Sequence, residues 1–277
     1  MHTSRRSLPG CMRPSDARTE KWHVCPGRPP ILRGAYITEE GVVTYAPPGG
    51  RGGVLMDITL DERRGRLSKW LDIIKENVTE AVINQHIFWE MQDIIRHNPQ
   101  LQKTPSAFYQ WMGAAFVHSS ALAVRREVDR DPKSVSLVRF LTEVRDRPDL
   151  VSREYHRSLY DRLGDKELAD DLARRTYDRH VGASATALDQ NTVQQEIDSL
   201  QKTSKIIRHY ANRAVAHYDT RGLSEPVPSF ADLGECLRVL ETLVLRYMLL
   251  LKGASQSTLL PTFMYDWKAI FRIAWIG

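Results

Sequence analysis

The chain has 277 residues, 42% of them hydrophobic, and a formal net charge of +5. That length suits one large domain or two small ones with a real buried core. No apolar run reaches the roughly 20 residues a membrane span needs. The best stretch, 237–251, is interrupted by Arg238, Glu241 and Arg246, so a soluble protein is expected.

The charge is uneven. Residues 1–55 carry eight Lys/Arg against four Asp/Glu, so almost all of the excess lies there. The remainder is nearly neutral, and any nucleic-acid contact must come from a local patch such as 208–221. Cys11, Cys25 and Cys236 are odd in number and widely spaced. They support neither a disulfide framework nor a zinc site, and a reducing cytoplasm fits best. Cys236 falls on a helical apolar face and reads as core.

Residues 1–55 hold 7 of 14 prolines and 8 of 16 glycines, with no sustained helical period. Such a composition does not offset ordering entropy by burial. Ser4-Arg5-Arg6-Ser7-Leu8 faintly resembles a twin-arginine signal, but a polar stretch follows where an apolar region should be, which argues against export. Gly49-Gly50-Arg51-Gly52-Gly53 would be encoded by G-rich codons resembling a ribosome-binding site shortly before Met56. Two readings stand: a disordered tail, or an upstream extension with translation starting at Met56. The expected division is a leader over 1–55 and a folded body over 56–277.

Thr59-Leu60-Asp61-Glu62 is a capping box, and Leu67, Leu71, Ile74, Val78, Ala81, Gln85, Phe88, Gln92 and Ile95 step by three or four toward Asn98-Pro99. This predicts a long amphipathic helix, with room for one break. Thr104 as N-cap and Pro105 as first helical residue open a second helix, stopping near Asp131-Pro132. Ser134 or Ser136 caps a shorter one ended by Pro148. Residues 152–181 read as one or two surface helices broken near Gly164. A heptad then runs through Val193, Ile197, Leu200, Ser204, Ile207, Ala211, Ala214 and Tyr218, with Gly222 as terminator. Ser229 or Asp232 opens the last strong helix, ending at Gly253. Strand signals are almost absent, so the expected fold class is an all-α bundle. The aromatic tail, 265–276, predicts a short helix or arm closing the core, or a dimer contact.

The chemistry-bearing stretch is 206–220, where Arg208, His209, Arg213 and His217 crowd the end of the heptad helix. At the α-helical angle Arg213 and His217 share a face. Arg208 falls on the opposite side and, with His209, Asn212 and Arg221, widens a phosphate-binding surface. Attack of a ribose 2′-OH on its phosphate needs a proton acceptor near neutral pH, which imidazole supplies. Charge on the phosphoryl oxygens needs a cation, which guanidinium supplies in bidentate form. No metal or cofactor is called for. The plainer use of the same residues is a solvated Arg213 and a His217 that favours the helix dipole.

The helix with N-R-A-V-A-H-Y-D after V-Q-Q-E-I-D-S-L, preceded by F-V-H-S-S-A-L-A-V-R-R-E-V-D-R-D-P-K-S-V-S-L-V-R-F-L and closed by Y-D-W-K-A-I-F-R, resembles the abortive-infection U-type (AbiU2-like) branch of the HEPN superfamily. The resemblance covers about 58–277. It implies an all-α HEPN bundle, often dimeric, in a superfamily many of whose members are metal-independent endoribonucleases of toxin–antitoxin or phage-defence systems. His217 matches the family histidine. The positions where the family carries its arginine hold Tyr210, Ala211 and Asn212, and Arg213 lies one residue nearer the histidine.

The expectation is therefore an RNA-acting protein with Arg213 and His217 as catalytic pair and Arg208, His209, Asn212 and Arg221 as RNA contacts. The alternatives are a non-catalytic module that binds nucleic acid, nucleotide or a partner protein, and a purely structural interaction protein. RNA and a cognate antitoxin are the expected partners. The small-sided seam Ser204, Ala211, Ala214 further predicts a twofold homodimer with this helix near its axis.

Overall fold

Thr59 starts the fold as its sequence predicts. Its hydroxyl accepts from the Glu62 backbone N–H at 3.3 Å while the Glu62 carboxylate accepts the Thr59 N–H at 2.9 Å. The computed structural model describes residues 59–216 and 227–273; the expected leader lies outside them. From this box one unbroken helix, α1, runs Leu60–His97. Its stripe of Leu67, Leu71, Ile74, Val78 and Ala81 is 0–3% exposed, and at about 1.5–3 kcal/mol per buried large aliphatic this face dominates its stability.

Asn98-Pro99 does more than end α1. The Asn98 side chain caps a short helix α2, Pro99–Lys103, with Pro at its start, so Thr104 closes α2 instead of opening the next helix. Pro105 has no N–H to give, and the cap falls to Ser106, whose hydroxyl accepts from Phe108 at 3.2 Å. Helix α3 then spans Ala107–Glu127, stopping short of the predicted Asp131-Pro132. Ser136, not Ser134, caps α4, Leu137–Asp146. A 3-10 turn follows at Pro148–Val151.

Residues 152–181 form two helices, α5 (Arg153–Ser158) and α6 (Lys166–His180). Between them Gly164 sits at φ 75°, a left-handed conformation that suits glycine. These helices are less superficial than their composition suggests: His156 and Tyr177 are fully buried. Helix α7 is Gln190–Tyr210, capped by Asp189. Helix α8 is Phe230–Lys252, where Ser229 and Asp232 jointly form the capping box. It ends at Gly253, φ 66°, whose N–H reaches the Leu249 carbonyl at 2.9 Å.

The described residues contain no strand, so the body is all-α. Helix α1 packs along α3 and α8, and α7 packs against α3, α4 and α8. Cys236 is 0% exposed, and burial pushes its thiol up to about 12, as befits core.

Three expectations are corrected here. The predicted regular helix through Tyr218 gives way at Ala211 to a π-helical turn, Ala211–Ala216. Two of the three residues of the small-sided dimer seam are not available either: Ser204 and Ala211 are both 0% exposed within one chain. The small residues let α7 approach its own neighbours. The tail likewise flanks the fold without closing the core. Trp267–Arg272 forms a 3-10 turn with no buried residue, resting on α1 through Phe263 stacked on His86 and a Lys268–Glu90 ion pair.

Candidate nucleic-acid interface

The end of α7 meets the end of α3. Last-turn basic residues suit the negative end of a helix dipole, and α3 supplies Arg125 and Arg126 there. After it the chain turns sharply: Asp129 Oδ1 accepts the Asp131 N–H at 3.0 Å and Asp131 Oδ1 accepts the Lys133 N–H at 2.9 Å. Such side-chain-to-backbone turns fix a loop locally. Ser136 ties it down again, donating to the Asp129 carbonyl at 2.5 Å. Arg130 is held in the middle of this loop.

Beneath it lies the buried carboxylate of Glu127, 1% exposed. It accepts the Leu137 N–H at 3.0 Å and the Asn77 side-chain amide at 3.4 Å, joining α1, α3 and the start of α4. Burial pushes its pKa up to about 7, against the lowering effect of these hydrogen bonds and of Arg126.

On the α7 side the π turn changes the geometry assumed from sequence. Its hydrogen bonds close over five residues instead of four, so each residue advances by less than the α-helical angle. Arg213 lies within this turn, and its sequence-predicted partner His217 lies outside the described residues. Single π turns recur at functional sites. Ala211 keeps the apolar step from Ile207 and stays buried, whereas Asn212 is exposed and Arg213 half-buried.

Arg125, Asp129, Arg130, Arg208, Asn212 and Val128 line a pocket of about 190 Å³. Arg125 Nε donates to the Asn212 side-chain oxygen at 2.5 Å. Of the sequence-predicted contacts, the fold therefore brings Arg208 and Asn212 together with α3. It does not place His209 or Arg213 in the lining of this pocket. His217 and Arg221 lie outside the described residues. A further imidazole stands nearby, since the exposed His118 of α3 faces the Tyr210 ring at 6.2 Å between centroids.

Sequence reasoning missed Arg125 and Arg130. Their only local signal was A-V-R-R-E-V-D-R-D-P at a helix end, where arginine already has a reason to be. Among the described residues no group of three or more His, Cys, Asp or Glu is placed to hold a metal ion. The pocket presents three guanidiniums and an amide against one carboxylate, a donor set that suits the oxygens of a phosphodiester.

A model of the AbiU2 family of HEPN proteins matches residues 67–267. The chain belongs to the AbiU2 family. The match runs from the first buried turn of α1 to the tail and takes in α3, α7 and the pocket between them. No curated protein and no solved structure matches. No helix among the described residues of this AbiU2 protein is long and apolar enough to cross a membrane.

Proposed function

We propose that this AbiU2-family protein acts on RNA in a bacterial phage-defence or toxin–antitoxin setting, as a metal-independent endoribonuclease. The observation that carries this reading is the cationic pocket at the α3–α7 junction, where Arg125, Arg130 and Arg208 surround Asn212 immediately before the Arg213-to-His217 stretch. The pocket binds the phosphodiester backbone. His217 takes the 2′-hydroxyl proton or returns one to the leaving oxygen, and Arg213 stabilises charge on the phosphoryl oxygens. His209 and Arg221 extend the cationic surface beyond the pocket. A homodimer and a cognate antitoxin belong to the same reading.

The test is incubation of the purified protein with total RNA in chelator. Cleavage by the parent and loss of cleavage in His217→Ala support the enzyme. RNA that stays intact but bound identifies a non-catalytic nucleic-acid module, and RNA that is neither bound nor cut removes the reading. Cleavage through imidazole bends within about a unit or two of pH 6.5; a flat profile excludes a histidine mechanism.

A further inference from the structure

A second hollow lies beside the pocket just described. It is a cleft of about 570 Å³ between α4 and α7, within the size range of small-ligand sites. Five arginines (Arg63, Arg130, Arg139, Arg145, Arg147) line it against two carboxylates, Glu143 and Asp146. In a body that is nearly neutral, this excess of positive charge in one concavity is a local field for anions.

The cleft is built as well as charged. Arg139 lies over the Trp70 ring at 4.7 Å and donates to the Ser134 carbonyl. Arg145 is held by Asp146 at 2.7 Å and by the Gln194 side-chain oxygen at 2.6 Å. Guanidiniums fixed in this way lose less freedom on meeting an anion. Gln201, on the same wall, has a buried amide nitrogen with no hydrogen-bond partner, an unsatisfied donor of a kind that is rare in folded proteins.

Arg130 connects the two hollows, lining both the cleft and the α3–α7 pocket. Among the described residues it makes no hydrogen bond or ion pair, and its loop is pinned by Asp129, Asp131 and Ser136. One exposed cation standing between two cationic hollows suits a chain of phosphates better than an isolated one.

We propose that the cleft is a second phosphate-binding segment, along which a single RNA strand continues from the α3–α7 pocket over Arg130. The proposal rests on the reading of that pocket as an RNA site. It defines the substrate as a single strand longer than the pocket alone can hold, because duplex RNA is too wide and stiff to follow two small concavities on either side of one side chain.

The experiment measures equilibrium binding of labelled single-stranded RNAs of about three and about twelve nucleotides to the full chain, lengths that fall below and within the usual range of single-strand site sizes. Arg145→Glu and Thr142→Glu alter the cleft, and Arg208→Glu alters the pocket. Thr142→Glu adds a negative charge while leaving the hydrogen bonds of Arg145 in place, so it guards against a variant that merely misfolds. Both cleft variants are expected to weaken the long RNA by about tenfold, lower its salt slope by about one and leave the short RNA unchanged. Long RNA bound as tightly as by the parent, or equal losses for both lengths, overturns the proposal. So does a cleft variant that loses only a free mononucleotide while the long strand is unaffected. If Arg208→Glu also changes nothing, or the parent binds neither RNA, the reading of the pocket fails with it.

Discussion

Arg125 of α3 donates its Nε–H to the side-chain oxygen of Asn212, joining the end of one helix to the π turn that follows another, 87 residues away in sequence. The bond orients a guanidinium and an amide toward the same pocket. Asn212→Asp keeps the size, converts the bond to an ion pair and cancels a positive charge in the pocket. It is expected to weaken single-stranded RNA binding by about tenfold, whereas Asn212→Ala changes it by about twofold. Anisotropy titrations separate the two; equal behaviour of the variants contradicts the electrostatic role.

Glu127 makes a pH prediction with a definite sign. Its folded pKa is raised from 4.5 to about 7 by burial, so the folded state holds its proton more tightly than the unfolded chain does. Its contribution is fully present below about 4.5 and is lost as pH climbs toward 7. Glu127→Gln retains an acceptor for the Leu137 N–H and carries no charge. It is expected to match the parent in stability near pH 4 and to exceed it by roughly 2–3 kcal/mol at pH 8. Urea unfolding at the two pH values checks this; a constant offset contradicts it.

His156 has the opposite window. Its Nδ1–H donates to the Leu250 carbonyl at 3.1 Å, which leaves Nε2, 2.9 Å from the Thr176 hydroxyl, to accept. Burial lowers its pKa below 6.5. The unfolded chain therefore takes up a proton first, and stability falls as pH drops below about 6.5. His156→Gln is expected to cost about 2 kcal/mol or more at pH 8 and to flatten the decline between pH 6.5 and 5. An unchanged slope places the acid sensitivity elsewhere.

Glu196 of α7 and Arg246 of α8 form an ion pair whose side chains are 13% and 18% exposed, with the Tyr247 hydroxyl donating to the same carboxylate at 2.7 Å. Arg246→Leu strands a largely buried carboxylate and is expected to cost about 3–5 kcal/mol, while adding Glu196→Gln recovers a large part of that loss. Thermal unfolding of both variants measures the difference; equal losses mean that packing, not charge, governs the site.

The residues whose roles are local were legible in sequence. Thr59 with Glu62 caps α1 as written, Ser229 is the N-cap of the two candidates offered for α8 with Asp232 as its box partner, and the stripe from Leu67 through Ala81 and the run from Val193 through Ile207 face the core. Ser106 was hidden by a more conspicuous Thr104-Pro105, because both pairings look like starts and only the preceding short helix decides between them. The π turn at Ala211 leaves no trace in an apolar period that continues across it. The pocket was half legible: Arg208 and Asn212 stand in a visibly cationic segment, but Arg125 and Arg130 reach them only through tertiary packing of α3 on α7. The small residues Ser204 and Ala211 suggested a neighbour, and the neighbour is inside the same chain.

The most direct measurement of the central claim is the affinity of a single-stranded RNA for the parent and for an Arg130→Glu, Arg208→Glu double variant, at two salt concentrations. Reversing two guanidiniums that line the α3–α7 pocket is expected to weaken binding by about a hundredfold or more and to reduce the salt slope by roughly two phosphate contacts, with helix content unchanged. RNA bound by the folded double variant with the affinity and salt slope of the parent contradicts the assignment of this pocket to RNA.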